Sequence, residues 1–187
     1  MEQGMNTGVV DLKVASMSLI WGFLTPGELD HWLEESAAAG YNGVTGFAKD
    51  FAPYWEDPSA LQDLLGRYDL SLAAVDTPLH NDHDTYRRVL SMMAQLGCRL
   101  LVCIDHDLRA DEFERCAALL NRAGDLASEY GVDVHYHNHT AAVGETLADM
   151  EKLLDLIDPN LVKIMLDVGH ATKDFVELPP NERAVVF

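Results

Sequence analysis

The sequence predicts an α/β protein of the (β/α)8 TIM-barrel type, with about six β/α units present in the chain. Strand-like and helix-like segments alternate along all 187 residues, a pattern typical of parallel sheets with right-handed crossovers. Polar residues gather where the predicted strands end, as they do in barrel active sites. A doubly wound sheet is the alternative, but no Gly-rich phosphate-binding motif follows the first strand. Periodicity alone does not separate the two folds, and the other two observations favour the barrel.

The first half of the chain supplies three predicted strands, at residues 12–18, 43–47 and 71–75. The first helix is expected after the capping box Thr25-Pro26-Gly27-Glu28, which places proline at the first helical position. Its apolar stripe ends near Gly40, where glycine favours a helix stop. Asp57-Pro58 opens the second helix, and apolar residues at helical spacing predict a third over 84–96.

The second half repeats the pattern. Predicted strands cover residues 100–104, 132–138 and 161–166, and predicted helices cover 111–130 and about 146–156. Because no linker or low-complexity segment interrupts the alternation, we expect residues 1–187 to form a single barrel-like domain. Barrels of this type usually need about 250 residues, so the chain is expected to be incomplete at its C-terminus.

The composition of the chain argues against several classes of function. The net charge is −18, which opposes binding to phosphate backbones and argues against a nucleic-acid partner. No apolar run is long enough to span a bilayer, and residues 1–10 lack a signal-peptide pattern. Cys98, Cys103 and Cys116 show no CxxC spacing and are expected to be reduced and buried. These features predict a cytoplasmic protein without a membrane partner.

The segment His135-Tyr-His-Asn-His139 is the most informative part of the chain. Side chains alternate across a strand, so its three histidines share one face, while Val134, Tyr136 and Asn138 face the other way. Buried imidazoles need hydrogen-bond partners or a metal. Asp167, at the end of the next predicted strand, adds a carboxylate ligand. The combination predicts a metal site, although His135 could equally be a hydrogen-bonded core residue and Asp167 a helix cap.

Two motifs carry a resemblance to a known family. The segments Tyr136-His-Asn-His-Thr-Ala-Ala-Val-Gly-Glu-Thr146 and Leu166-Asp-Val-Gly-His170 resemble the xylose-isomerase-like TIM-barrel superfamily. This group includes sugar phosphate isomerases and epimerases, inosose dehydratase and endonuclease IV. The similarity is greatest to the inosose dehydratase branch, which has comparable Tyr-His-x-His, Glu-Thr and Asp-x-Gly-His patterns. It extends over roughly residues 12–175.

The resemblance implies a divalent metal, Mn, Zn, Co or Mg, bound by one residue from each of the last four barrel strands. His137 and Asp167 occupy two of these ligand positions, and the other two have no counterpart in this chain. His137 replaces a glutamate of the family, which shifts the preference towards Zn or Mn. His139 corresponds to an acid/base histidine, and His170 to a histidine that contacts substrate oxygens.

Further candidates follow from position along the chain. Glu145 is a weaker candidate for the catalytic base, and it could instead belong to the start of a helix, because Thr146 and Asp149 form a capping pattern. Asn138, Trp21 and His106 are candidates for contacts to substrate, since they lie at the ends of predicted strands or turns. His106 could also be an ordinary loop residue.

The chemistry implied is proton abstraction next to a metal-bound carbonyl, which leads to isomerisation, epimerisation or dehydration of a keto-sugar or polyol. A different class of function is also open, in which an incomplete barrel binds a partner or is completed by a second copy or another chain. An endonuclease IV-like repair enzyme is a third alternative, and the acidic charge opposes it. We therefore expect a small-molecule substrate and a homo-oligomer or a completing partner chain.

Overall fold

The computed structural model describes residues 12–22 and 24–183. Within this part of the chain, six parallel strands form one sheet whose order follows the sequence. Each strand pairs with the next one along the chain, which is the arrangement of a barrel wall. The strands are β1 (Ala15–Met17), β2 (Gly43–Phe47), β3 (Ser71–Pro78), β4 (Leu100–Ile104), β5 (Asp133–His137) and β6 (Val162–Met165).

Helices connect the strands and cover one side of the sheet. Their bounds are α1 (Pro26–Ala38), α2 (Pro58–Arg67), α3 (His83–Gln95), α4 (Phe113–Ser128), α5 (Leu147–Leu154) and α6 (Val168–Asp174). Two 3-10 segments, Ser18–Trp21 and Ala48–Tyr54, follow β1 and β2. Side chains at one strand position in two, including Val44, Val134 and Tyr136, are buried against the helices. The residues between them face the inside of the curved sheet.

A β-bulge interrupts this alternation between β2 and β3. Val44 pairs with Leu72, whereas the next residue, Thr45, pairs with Ala74. The extra residue on β3, Ala73, rotates the rest of the strand by one position. Val75 is therefore buried in the hydrophobic core, and Asp76 lies on the inner side, at the cavity described below.

The predicted fold class is confirmed, since six β/α units form a parallel sheet of the barrel type. Several boundaries differ. The first strand begins at Ala15 instead of Leu12 and ends where a 3-10 turn begins at Ser18. The segment Ala48–Tyr54 and helix α6 carry no strong sequence periodicity, and neither was predicted as an element. That residues 1–187 are one incomplete domain stays a prediction. Within the described residues, no helix has the length and apolar character needed to cross a membrane.

Candidate metal centre and active site

The inner side of the sheet lines an open cavity of about 960 Å³. All six strands, or the loops that follow them, contribute to its wall. The residues relevant to chemistry lie at the carboxyl ends of the strands, as expected for a barrel. They are Thr45, Lys49, Trp55, Asp76, His80, Asp82, His106, His137, His139, Asp167 and His170.

β5 separates two environments, as the alternation of its sequence predicts. His135 and His137 are half-buried on the inner side, and His139 continues the same spacing just beyond the strand. Val134, Tyr136 and Asn138 are at most 1% exposed on the other side. Among the three histidines, His137 and His139 line the cavity. His135 lies further from the carboxyl end of the strand, where burial lowers the pKa of its imidazole.

His137, Asp167 and His170 come together at the ends of β5 and β6. One potential ligand atom from each lies within 4.8 Å of the other two. His137 Nε2 is 3.6 Å from Asp167 Oδ2, which is too long for a hydrogen bond. His137 Nδ1 is buried and has no hydrogen-bond partner in the described part of the chain. The ring therefore lies in the protein with no hydrogen bond to either nitrogen.

These residues fit a divalent metal. Burial lowers the pKa of His137 to about 4, although Asp167 opposes the shift, so the imidazole is neutral at pH 7 and keeps a lone pair for a metal. Two imidazoles and one carboxylate are a donor set suited to zinc, manganese or cobalt. A metal bound at Nε2, the nitrogen nearer Asp167, would supply a partner for that atom of the ring.

Asp167 is also the N-cap of a helix, as its sequence position suggested. Its Oδ1 accepts the backbone N–H of His170 at 2.8 Å and caps α6. Its Oδ2 remains directed towards His137. The helix-cap and ligand interpretations are thus compatible, because each uses a different oxygen of the same carboxylate. Capping also fixes the position of His170 relative to Asp167.

A hydrogen-bond network fixes the tautomer of His170. The Thr140 hydroxyl donates its single hydrogen to Asp174 Oδ2 at 2.6 Å and accepts from Lys173 Nζ at 2.9 Å. Its remaining contact is with His170 Nδ1 at 3.1 Å. Because the hydroxyl has no second hydrogen to donate, Nδ1 must carry the proton in this contact. Nε2 of His170 is then unprotonated in the neutral ring and available to a metal or a substrate hydroxyl.

His139 is oriented in a similar way. Its Nδ1 lies 2.8 Å from the carbonyl oxygen of Thr140, which only accepts, so Nδ1 is the donor and Nε2 keeps the lone pair. The His139 ring lies next to His170, with 4.0 Å between ring centroids, and edge-to-face with His106 at 4.8 Å. The structure therefore brings three of the predicted site histidines into one group with His137.

The opposite face of β5 holds a fully paired polar network. Asp105, which follows β4 and is 0% exposed, accepts the Tyr136 hydroxyl at 2.9 Å and the backbone N–H of Val143 at 2.7 Å. The Tyr136 hydroxyl in turn accepts the N–H of Gly144 at 3.0 Å. A Cβ at Gly144 would lie 2.9 Å from Tyr136 Cε1, so this approach requires glycine. The network anchors the loop that follows β5.

Asn138 belongs to this structural side of the strand. Its side-chain oxygen accepts the backbone N–H of Asp167 at 2.7 Å, and its amide donates to the Asp167 carbonyl at 3.3 Å. It is 1% exposed and is not among the residues that line the cavity. This arrangement lets Asn138 position the backbone of Asp167, and its contact with substrate stays a prediction.

Two other predicted site residues also lie away from the cavity wall. Glu145 is flanked by Gly144, which binds Tyr136, and by Thr146, which forms a capping box with Asp149 at the start of α5. The backbone on both sides is thereby held towards the helices, and Glu145 is not a cavity-lining residue. Trp21 is 41% exposed at the end of its 3-10 segment, and Leu19 contributes to the wall instead.

Sequence reasoning counted Asp76 among the polar residues at the strand ends but assigned it no role in the site. Asp76 is 5% exposed, and Thr45 donates a hydrogen bond of 2.8 Å to its Oδ2. Burial raises the pKa of Asp76 to about 6, and the Thr45 hydrogen bond opposes part of this shift. Its position at the end of the predicted strand was the available signal, but the bulge at Ala73 had to be known to place it on the inner side.

Comparison with known proteins supports this architecture. The family model described as xylose isomerase-like TIM barrel matches residues 33–184. The inosose dehydratase of Geobacillus kaustophilus is 27% identical over 177 residues, which cover 78% of this chain and 56% of that protein. A shorter region is 41% identical over 63 residues to the inosose dehydratase of Clostridium perfringens, covering 34% of this chain and 21% of that protein. The chain spans about half the length of the first of these relatives.

Among solved structures, a sugar phosphate isomerase/epimerase from Parabacteroides distasonis has a TM-score of 0.67 at 18% identity, covering 91% of this chain and 70% of that one. At this identity, the similarity demonstrates the fold. The family-model match extends over most of the sequence and includes both motifs that carry the resemblance. The chain belongs to the xylose isomerase-like TIM barrel family.

Proposed function

We propose that this chain carries a metal-dependent active site of an isomerase, epimerase or dehydratase that acts on a keto-sugar or polyol. His137 and Asp167 would hold a divalent metal, and His170 would supply a third donor or contact a substrate oxygen. Relatives named inosose dehydratase support this class of reaction. Mn, Zn and Co suit the two imidazoles better than Mg does.

The observation that carries the proposal is the position of His139 beside this donor group. Its ring centroid is 4.0 Å from that of His170 and 6.0 Å from that of His137. The Thr140 carbonyl holds the proton on Nδ1, which leaves Nε2 able to accept a proton. A metal bound at His137 and Asp167 would polarise a substrate carbonyl and lower the pKa of the neighbouring C–H group. His139 would remove that proton and return it to a neighbouring carbon.

Exchange of substrate hydrogen with solvent deuterium tests this role. The Mn²⁺-supplemented chain is incubated in D2O with an inosose or with D-fructose, and loss of the C–H signal is followed by NMR. We expect His139→Ala to slow exchange by about 100-fold or more, while His31→Ala, on the exposed surface of α1, exchanges at the wild-type rate. Unchanged exchange in His139→Ala would remove the base assignment, and no exchange by the wild type would overturn the catalytic proposal.

A second candidate function is that of a binding subunit whose barrel is completed by another copy of this chain or by another chain. Within the described residues, β1 and β6 each pair on one side only. Leu12, Leu19 and Ile20 near β1 are 78%, 57% and 75% exposed, and exposed apolar residues at a sheet edge favour association. This candidate predicts a stable complex by light scattering together with no deuterium exchange.

A cytoplasmic location and the absence of nucleic-acid or membrane partners remain part of the proposal. The three cysteines are free and buried, as expected for a protein in a reducing compartment. The net charge of −18 opposes an endonuclease-like role, for which we expect no nicking of an abasic DNA duplex.

A further inference from the structure

A buried carboxylate lies in the cavity on strand β3, two strands along the sheet from the histidine group on β5. Asp76 lines the cavity and is 5% exposed. Within the described residues, its only hydrogen bond comes from the Thr45 hydroxyl to Oδ2. Oδ1 therefore has no donor within the described part of the protein and lies at the cavity wall, where a ligand group can pair with it.

We propose that Asp76, oriented by Thr45, binds a hydroxyl group of the substrate and selects uncharged polyols and keto-sugars over their phosphate esters. This inference rests on the proposed function, since it names the class of substrate for the same cavity. A hydroxyl donates the hydrogen that Oδ1 lacks. A phosphate ester keeps hydroxyl groups, but its dianion would be repelled by the carboxylates of the cavity wall.

The position of Asp76 is a consequence of backbone structure. The bulge at Ala73 shifts the register so that Ala74 and Asp76 face the cavity while Val75 packs in the core. Without the extra residue, the carboxylate would point into the helix layer. Thr45 on β2, which pairs with Ala74 two residues before Asp76, supplies the hydroxyl that donates to the carboxylate.

The other charges of the cavity wall also disfavour a phosphate. Three aspartates, Asp76, Asp82 and Asp167, line it together with a single lysine, Lys49, and no arginine is among the lining residues that the structure describes. Phosphate sites in proteins are usually formed by arginine or lysine, or by the free N–H groups at a helix N-terminus.

The two α-helices that begin at this wall, α3 and α6, each have an aspartate as N-cap. Asp82 Oδ1 accepts the N–H groups of Asp84 and Thr85 and caps α3. Asp167 Oδ1 accepts one backbone N–H, that of His170, at the start of α6. Both carboxylates add negative charge to the cavity wall and would repel a phosphate group.

Calorimetric titration with matched ligand pairs tests the inference. Mn²⁺-supplemented wild type is titrated with D-fructose and D-fructose 6-phosphate, and with myo-inositol and its 1-phosphate. We expect each uncharged ligand to bind at least about tenfold more tightly than its phosphate ester. Asp76→Ala should weaken the uncharged ligands by roughly 10- to 100-fold, the effect of losing a hydrogen bond to a charged group, with metal binding unchanged. Asp76→Asn should narrow the ratio between the members of each pair.

Controls separate this inference from the proposal on which it rests. Asp107→Asn removes an equal charge at an exposed position outside the cavity wall and should behave as the wild type. Thr45→Val removes only the hydroxyl that orients Asp76, and it replaces Asp76→Ala if that variant does not fold; we expect about three- to tenfold weaker binding. Tighter binding of the phosphate esters, or unchanged affinity in the folded Asp76 or Thr45 variants, would overturn the inference and leave the proposed function standing. No binding of either uncharged ligand to the wild type would overturn both.

Discussion

Buried aspartates on the two sides of the sheet accept different numbers of hydrogen bonds. Asp105, on the helix side, receives hydrogen bonds from the Tyr136 hydroxyl and the Val143 backbone. Asp76, on the cavity side, is almost as buried but receives one, from Thr45. A fully paired carboxylate stabilises the fold around it, whereas a partly paired one raises the free energy of the folded state until a ligand binds. Of these two aspartates, the one with fewer hydrogen bonds from the protein is the one that lines the cavity.

The same contrast separates the two faces of β5. Tyr136 and Asn138, which face the helices and β6, use their polar atoms to anchor neighbouring backbone. His137, on the cavity face, has a buried nitrogen without a partner. One strand thus carries a structural network and a candidate ligand set at alternate positions, and substitutions on its two faces should produce different kinds of defect.

The largest effect on stability is expected on the helix side. Asp105→Ala leaves the Tyr136 hydroxyl and the Val143 N–H buried without their acceptor, which should lower the free energy of unfolding by about 4 kcal/mol. Urea denaturation monitored by circular dichroism measures this. Tyr136→Phe, which removes one donor and keeps the carboxylate, should cost about 1–2 kcal/mol. Equal stability of Asp105→Ala and the wild type would show that the paired network is not structural.

On the cavity side, Asp76 should make stability depend on pH. Burial raises its pKa from the ordinary 3.8 to about 6, so the folded state holds the proton more tightly than the unfolded state. The contribution of Asp76 to stability is therefore complete below pH 3.8 and is lost as the pH rises to about 6. The loss is about 3 kcal/mol, since one pKa unit corresponds to about 1.4 kcal/mol.

Asp76→Asn isolates this contribution from the other titrating groups. Its stability relative to the wild type should increase by about 3 kcal/mol between pH 3.5 and pH 7, because the amide does not ionise beside Thr45 and the Cys103 thiol, whose own pKa Asp76 helps to raise. Denaturation at both pH values measures the difference, with Asp107→Asn as the charge-matched control. A constant difference across this range would contradict the assignment of Asp76 as a desolvated carboxylate.

A smaller effect, on metal affinity, is expected from the hydrogen-bond network that orients His170. Thr140→Val removes the hydroxyl that fixes the proton on His170 Nδ1 and should weaken Zn²⁺ or Mn²⁺ binding by about 10- to 100-fold, as for other residues that orient metal-bound histidines. Nitrogen-15 NMR of the metal-free chain should show the Nδ1–H tautomer in the wild type and a mixture in the variant. The same tautomer in both proteins would assign its control to another group.

The sequence predicted most of the architecture and part of the site. Alternation along residues 132–138 was sufficient to place the histidines on one face and Tyr136 on the other, because period-two patterns depend only on local geometry. The alternation also placed Asn138 on the face opposite the histidines. A substrate contact by Asn138 was therefore less well supported than one by the histidines. The two motifs at His137 and Asp167 brought the ends of β5 and β6 together correctly.

The remainder depended on information that is not local. The bulge at Ala73 places the Asp76 side chain on the cavity side of the sheet, and no residue pattern in β3 predicts this bulge. Trp55 and Lys49 reach the cavity wall through a 3-10 segment whose sequence, with Pro53 inside it, lacks a clear period. Glu145 does not line the cavity, because the hydrogen bond from the Gly144 N–H to the Tyr136 hydroxyl, eight residues earlier, helps to hold its loop, and its role as a base stays a prediction.

The central claim is that the cavity face of β5 and β6 binds a divalent metal. Elemental mass spectrometry of the purified 187-residue chain, after supplementation with Mn²⁺ or Zn²⁺ and removal of the excess, tests it most directly. We predict close to one metal per chain in the wild type and in His31→Ala, and a loss of most of it in His137→Ala/Asp167→Asn, whose asparagine can still cap α6. A folded wild type without metal, or a double variant that retains it, would contradict the account.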